Sequence, residues 1–533
     1  MSPIRGAKVN RFVVLVALAS ALLSLIGRAL LTAAGAVSFH ADEAVVALMA
    51  RHILEGARPI FFYGQAYMGV LDAYLTALGF AALGESVMTV RLVQMILYAL
   101  VVLVSCGLAY RLTGSRGAVT IVGLLHGFAP ALPTLYSTAT LGGYNETLLF
   151  GALLLWLTFD VTGEYPRSRW RWILLGLTAG IGWWTNFLIA VYALPAAVLI
   201  AQRLVRGDRR AVVTGSGLAL GAFIIGSLPF WDFNLREGFA SFGFLFNLGD
   251  PSRFASLGAA SPPPLERLIA FAFIGLPALI GLRFPWSAGY FLLPVGVLVG
   301  ALLTIGVVFA LRSAALTART RLTLGVWLGG FAVIFLLSRF SADPTGRYFL
   351  PIYLPLTIAF AVFALSARRA IAILLTGALA LYFTAGVIAA AAAPPGLTTQ
   401  FNLIEHLPNE DDAALIAFLD EQGITAGYSS YWIAFRIAFL SGERIVFDPV
   451  LPPKPDLAWT PFYRRYPPYA ERAAAAERSA YVTANVPEVE AALEAWFAGQ
   501  GITYRRTTIG IYVVYHDFAP RIPRPPLPFV RLD

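Results

Sequence analysis

The chain reads as a polytopic α-helical membrane protein of about eleven transmembrane helices, closed by a small C-terminal α/β domain outside the membrane. Three observations predict this. Of the 533 residues 58% are hydrophobic and only 13% charged, against about 25% charged in ordinary soluble domains, and the mean hydropathy is +0.72. Apolar runs of about 17 to 25 residues, long enough to cross a hydrocarbon core as helix, recur through the first 392 residues. From Pro394 the runs stop, and charged, proline-rich sequence takes over.

Taken in order, the apolar runs predict spans near 12–34, 91–110, 117–135, 146–162, 171–186, 187–202, 211–230, 290–311, 322–338, 348–366 and 370–392. The first reads as an uncleaved helix, because Arg28 interrupts the signal-peptide pattern; that arginine either snorkels to an interface or serves a site. Basic residues cluster in alternate short loops, at Arg111 and Arg116, at Arg203, Arg206, Arg209 and Arg210, and at Arg368 and Arg369. The positive-inside rule puts these loops and the N-terminus in the cytoplasm. The formal charge of +9 thus reports topology and points away from nucleic acid. An odd number of crossings leaves the tail extracytoplasmic, in a plasma (inner) membrane protein. Leu265 to Pro285 is apolar but short and holds Pro277, so it is expected to be re-entrant or interfacial. The single cysteine, Cys106, excludes an intrachain disulfide.

The expected domains are 1–392, membrane-embedded, and 393–533. Within the first, 36–90 forms a long outer loop whose patterns near 42–55 and 66–83 predict amphipathic helices lying along the membrane surface. In the tail, NEDDAALIAFLDEQG and VPEVEAALEAWFAGQ predict helices, while ITAGYSSYW, RIVFDP and TTIGIYVVYHDF predict strands.

The chemistry-bearing residues concentrate in the outer loop. Asp42 and Glu43 follow the first apolar run within a few residues. A carboxylate at a bilayer boundary is partly desolvated, which makes it a stronger base. The competing reading has Asp42 capping the helix that begins AVVALMARHIL. Further on, Tyr63, Gln65 and Tyr67 surround Gly64 in FYGQAYMG, offering hydroxyl and amide donors beside flat apolar surfaces suited to a sugar or a lipid phosphate.

The run from ADEAVVALMARHIL through FFYGQAYMG to VRLVQ resembles the first outer loop of the GT-C glycosyltransferases related to protein O-mannosyltransferases and to the bacterial aminoarabinose transferase for lipid A. In that family an acidic motif follows the first transmembrane helix, and its aspartate is the general base. The resemblance therefore gives that role to Asp42, with Glu43 beside it. It extends to LGGYNETLLFG, with Glu146 at the outer end of the fourth span, and to DPTGRYFLPIYLP, where Arg347 and Tyr348 precede a later span.

What the resemblance implies is a GT-C membrane domain and an inverting glycosyltransferase. It would move a sugar from a polyprenyl-phosphate donor to a hydroxyl-bearing acceptor (protein, lipid or polysaccharide) at the extracytoplasmic face. Positive charge on the departing phosphate is expected from Arg347, with Arg91 and Arg339 as competitors. Glu146 is the candidate to orient a sugar hydroxyl, and Trp183 with Trp184 to stack on a sugar face. No His or Cys set has clear metal-ligand spacing, and the acid pair is as able to ligate a divalent metal as to act as base. Two other classes remain open on the residues alone: a transporter or flippase, and a non-catalytic subunit of cell-envelope polysaccharide assembly. The transporter reading is weaker, because the ionisable candidates fall at outer helix ends instead of mid-membrane.

Overall fold

The computed structural model describes residues 10–163, 168–207, 209–246, 262–338, 341, 343–400, 405–522 and 524–532. Contacts divide the chain into two compact units. One comprises Met1–Val37, Arg91–Gly238 and Ser261–Thr399; the other comprises Ser38–Val90, Phe239–Ala260 and Gln400–Asp533. The outer loop thus groups with the tail, whereas the sequence pattern placed it with the membrane helices.

The first unit is helical. Among the described residues seven helices are long and apolar enough to cross a membrane: Arg11–Ala33, Val87–Thr113, Phe187–Arg206, Leu293–Arg312, Ala318–Leu337, Arg347–Ala364 and Arg369–Ala392. The pair Arg209–Gly226 and Leu228–Arg236, bent by 62°, makes an eighth where it crosses as one broken span. The other three expected spans fall outside that set. The run 117–135 breaks before Pro130 into Arg116–Gly127 and Ala131–Tyr136, because proline supplies no backbone N–H. The remaining two form Tyr144–Val161 and Trp170–Thr185. The expected re-entrant segment is a run of short helical pieces over 264–279, including a π-helical turn. At about 1.5 Å per residue it reaches about 24 Å, less than a hydrocarbon core of about 30 Å.

Residue polarity in this unit is inverted relative to a soluble bundle. Helix Arg11–Ala33 exposes Leu15, Leu18, Leu22 and Leu30 while burying Ser20, Ser24 and Arg28. Of the two readings of Arg28, snorkelling to an interface is set aside. Its guanidinium is buried, donates to Ser137 Oγ at 2.5 Å and Ser24 Oγ at 2.8 Å, and lies over the Tyr98 ring. Ser24 sits one helical turn away, so the arginine is held by its own helix as well as by a neighbour.

The second unit is built on a five-stranded mixed sheet. Its outer-loop part carries β1 (Phe61–Phe62) and β2 (Gln65–Gly69) as a separate hairpin. Its tail supplies β3 (Ala426–Ser430), β4 (Val446–Leu451), β5 (Ala458–Trp459), β6 (Ser479–Ala484), β7 (Thr503–Ile509), β8 (Tyr512–Ala519) and β9 (Arg531–Leu532). The sheet order is β4-β3-β6-β8-β7, with β3 parallel to both β4 and β6 and with β8 antiparallel to its neighbours. Strands β5 and β9 pair separately.

Both tail helices expected from the sequence are present, as Asp412–Glu421 and Pro487–Gly499. Two expectations change. ITAGYSSYW is a strand only as far as Ser430, after which YWIAFRIAFL forms helix Tyr431–Leu440. TTIGIYVVYHDF is the turn of a hairpin, since Gly510 at φ 53° reverses the chain between β7 and β8.

The outer-loop helices differ from expectation as well. Helix Ala41–Leu54 is buried nearly all round, packed on helices Leu71–Leu83 and Tyr431–Leu440. A helix buried on nearly every face is a core helix, not a surface one, and its charged residues, Asp42, Glu43, Arg51 and His52, are held inside the unit. The expected helix over 66–83 begins only at Leu71, because residues 65–69 are committed to β2. Asn409 docks the loop onto the tail, accepting from Phe39 N at 2.9 Å and donating to Phe39 O at 2.8 Å.

Candidate active site

Asp42 does not cap its helix. His40 does, its Nδ1 accepting from the Asp42 backbone N–H at 3.2 Å. The Asp42 carboxylate is thereby released for other work. Its Oδ1 accepts from the Tyr431 hydroxyl at 2.5 Å, while Oδ2 has no hydrogen-bond partner among the described residues. Tyr431 opens helix Tyr431–Leu440, directly after β3. Burial, and next the negative charge of Asp42, push the Tyr431 phenol well above its ordinary range, so it stays a proton donor. Glu43 is fully buried, which leaves Asp42 as the accessible acid of the pair.

The hairpin that follows brings its polar groups to the same neighbourhood within this unit. The reversal between β1 and β2 uses Tyr63 and Gly64, with Gly64 at φ 73°. A Cβ there would meet Arg465 Cδ at 3.2 Å, so the position suits glycine on both counts. With its amide oriented toward the guanidinium, the Gln65 carbonyl oxygen accepts from both terminal nitrogens of Arg465, at 2.8 and 2.7 Å. The Arg465 guanidinium lies 5.5 Å from the ring centres of both Phe62 and Tyr431. Tyr67, one residue beyond the next on the same strand, shares the Gln65 face and is half-buried.

Arg465 was not singled out by sequence reasoning, and only a pair of arginines before Tyr466 and Pro467 signalled it. Its neighbour Arg464 forms a bidentate pair with Asp448, at 2.8 and 2.7 Å. Arg465 has no carboxylate within ion-pair distance among the described residues, and its Nε has no partner there. It is a cation without an acidic partner among the described residues, and so a donor for a phosphate.

A second cluster fixes the hairpin to the tail. Glu443 sits at φ 58°, a left-handed conformation that costs a non-glycine residue on the order of 1 kcal/mol. Its Oε1 accepts from His52 Nε2 at 3.0 Å and from Tyr469 at 2.6 Å, and Oε2 pairs with Arg51 at 3.3 Å. The opposite nitrogen of His52 meets the Tyr63 hydroxyl at 2.9 Å, and Tyr466 stacks on both rings. Burial alone would raise the Glu443 carboxyl, but the bonds from His52, Tyr469 and Arg51 hold it down to about 2.

The remaining predicted residues belong to the helical unit. Arg347 pairs with Asp343 at 2.6 Å and lies 5.3 Å from the Tyr348 ring centre. Its Nε has no hydrogen-bond partner among the described residues, so one donor is left over. The turn before it depends on Gly346, at φ 81°, where a Cβ would come within 2.6 Å of Ala278 Cβ. Glu146 and Arg91 are both buried, so Arg91 is not an interfacial anchor. Glu146 stands in the first turn of helix Tyr144–Val161, beside Asn145, which donates to Gln94 Oε1 at 2.8 Å. Arg339 lies outside the described residues. Trp183 packs edge-on against Phe187, Phe223 and Phe230, and Asn186 caps the next turn through Leu188 N. Among the described residues no three or more His, Cys, Asp or Glu side chains converge as a ligand set, and no metal is assigned a place.

No protein-family model matches the chain, and no curated protein matches it by sequence. Solved structures do. ArnT from Cupriavidus metallidurans bound to undecaprenyl phosphate superposes with a TM-score of 0.58 at 14% identity, over 91% of this chain and 95% of that one. Its apo state gives 0.58 at 13%, over 89% and 93%. The apo oligosaccharyltransferase of Archaeoglobus fulgidus gives 0.54 at 13%, over 90% and 70%. All are GT-C glycosyltransferases, and the fold of this chain is the GT-C membrane fold expected from the outer-loop motif.

Proposed function

We propose that this protein is an inverting glycosyltransferase that moves a sugar from a polyprenyl-phosphate carrier to a hydroxyl-bearing acceptor at the extracytoplasmic face. The observation that carries the reading is the release of the Asp42 carboxylate from helix capping and its orientation by Tyr431. A capping aspartate would be spent on a backbone N–H; this one presents Oδ2 to an incoming group. Support for the lipid carrier comes from the GT-C fold shared with an ArnT that holds undecaprenyl phosphate. The alternating basic loops support the orientation, with the N-terminus cytoplasmic and the tail outside.

In this reaction Asp42 Oδ2 takes the proton of the acceptor hydroxyl as its oxygen bonds to the anomeric carbon. The bond from that carbon to the phosphate oxygen breaks on the opposite face, and its electron pair leaves with the polyprenyl phosphate. Attack opposite the leaving group inverts the anomeric centre. Charge growing on the phosphate calls for a guanidinium. Arg347 offers a spare Nε but is already paired with Asp343, whereas Arg465 carries no acidic partner among the described residues and belongs to the same unit as Asp42. Gln65 holds Arg465, with Tyr63 and Tyr67 on the same hairpin offered to the substrate; Glu146, Arg91 and Tyr348 belong to the helical unit and are proposed as substrate-binding residues there.

The test is transfer of labelled sugar from a panel of polyprenyl-phosphate sugars in membranes holding wild type or Asp42→Asn. One donor should be consumed, and Asp42→Asn should lower the rate by about 10²- to 10⁴-fold at unchanged protein level. Equal rates for the two proteins would overturn the assignment.

A further inference from the structure

One end of the helical unit gathers arginines that the sequence spreads over separate segments. Arg111 stands in the last turn of helix Val87–Thr113 and Arg203 in the last turn of Ala190–Arg206, while Arg171 and Arg319 open helices Trp170–Thr185 and Ala318–Leu337. Three of them meet the end of helix Tyr144–Val161. Arg111 and Arg171 both pair with Asp160, Arg111 at 2.5 Å. Arg319 donates to the Thr162 carbonyl at 3.2 Å and to the Thr162 hydroxyl. The Phe159 ring centre lies 4.3 Å from the Arg319 guanidinium and 5.9 Å from that of Arg111. Helices Ala190–Arg206 and Ala318–Leu337 pack on one another, and Arg203 comes near enough for its charge to act on Arg319.

Charge does not balance there. Among the described residues Asp160 is the one carboxylate that pairs with any of these arginines, and it is shared by two of them. The carboxyl end of helix Tyr144–Val161 offsets about half a charge more. Arg319 and Arg203 have no acidic partner among the described residues, and the Arg203 side chain makes no hydrogen bond there. Topology requires only that such cations be solvated on the inner side. These are partly buried and converge, and partly desolvated charge attracts an anion more strongly than the same charge in water.

The flanks of the cluster are apolar. Trp170, Ile173 and Leu174 beside Arg171, and Leu204 and Val205 beside Arg203, are exposed. Such surfaces suit acyl chains, with a tryptophan at headgroup level, whereas a free phosphate would use the arginines alone. Guanidinium groups match phosphate oxygens, and basic pockets between transmembrane helices on the cytoplasmic side take anionic headgroups. The alternating basic loops are expected to put this end of the unit in the cytoplasm.

We propose that this arginine cluster binds the phosphate headgroup of an anionic membrane phospholipid, with Arg203 and Arg319 as the cations that hold it. The proposal does not rest on the transferase reading. The experiment is native mass spectrometry of the full-length protein in detergent, with phosphatidylglycerol and phosphatidylcholine of the same acyl chains as probes and glycerol 1-phosphate as competitor. Wild type is compared with Arg203→Gln and with Arg369→Gln, the latter removing an exposed arginine at the start of helix Arg369–Ala392. Because the Arg203 side chain bonds nothing among the described residues, its loss should leave the unfolding temperature unchanged, which a thermal scan checks. Expected is preferential retention of phosphatidylglycerol, weakened about fivefold by Arg203→Gln and little by Arg369→Gln. Equal retention of the two lipids, or an equal loss in the two variants, would overturn the proposal. So would displacement of the lipid by an equal concentration of glycerol 1-phosphate, which would mark a site for free phosphate.

Discussion

Replacing Glu443 by glutamine tests the network that carries the Tyr63 hairpin. The Glu443 carboxyl falls from its ordinary 4.5 to about 2 because His52, Tyr469 and Arg51 bond its ionised form more strongly than burial disfavours it. At about 1.4 kcal/mol per tenfold, that drop corresponds to about 3 kcal/mol. The side chain keeps some exposure, and solvent screening reduces the figure to about 1–2 kcal/mol. An acid held below its unfolded-state value stabilises the fold fully above that value. The contribution disappears as pH falls from 4.5 toward about 2. The assay is thermal unfolding of the detergent-solubilised protein, wild type against Glu443→Gln, across that acid range. The stability difference should be about 1–2 kcal/mol near neutrality and shrink toward zero at the acid end, the glutamine being indifferent to pH. Unfolding curves that stay parallel throughout would refute the reasoning, since other carboxylates titrate in both proteins and cancel.

Arg465→Ala should weaken apparent donor affinity or turnover by about tenfold or more, the scale of a lost charge-assisted bond. The control Arg464→Ala, whose partner is Asp448, should instead lower stability; donor kinetics alike in the two variants would dismiss Arg465 as the phosphate cation. Gly346→Ala places a Cβ 2.6 Å from Ala278 at φ 81°, so about 1–3 kcal/mol of stability should be lost. A variant unfolding at the wild-type temperature would show that the Asp343–Arg347 turn tolerates a side chain.

Much of the membrane part was readable before folding because its signals are local. Seven of the expected spans occur nearly at their predicted ends. The exceptions have local causes too, such as Pro130 dividing 117–135. The outer loop was read less well. A period that suited a helix over 66–83 was overridden at 65–69 by pairing with Phe61 and Phe62. Helix 431–440 was missed because YWIAFRIAFL is apolar on all sides and short, a pattern that fits a buried strand equally well.

From the sequence alone followed a many-helix membrane protein, a tail of different composition, and an acid pair in the outer loop worth testing. Hydrophobicity, charge asymmetry and a short motif carry those conclusions, and each is a property of neighbouring residues. Tertiary structure alone decided which acid is accessible, what holds it, and which arginine stands near it. The Tyr431–Asp42 bond joins residues 389 positions apart, and Gln65 meets Arg465 across a comparable separation. A hydrogen bond depends on distance and angle in space, and no periodicity in a single chain encodes which distant donor will arrive there.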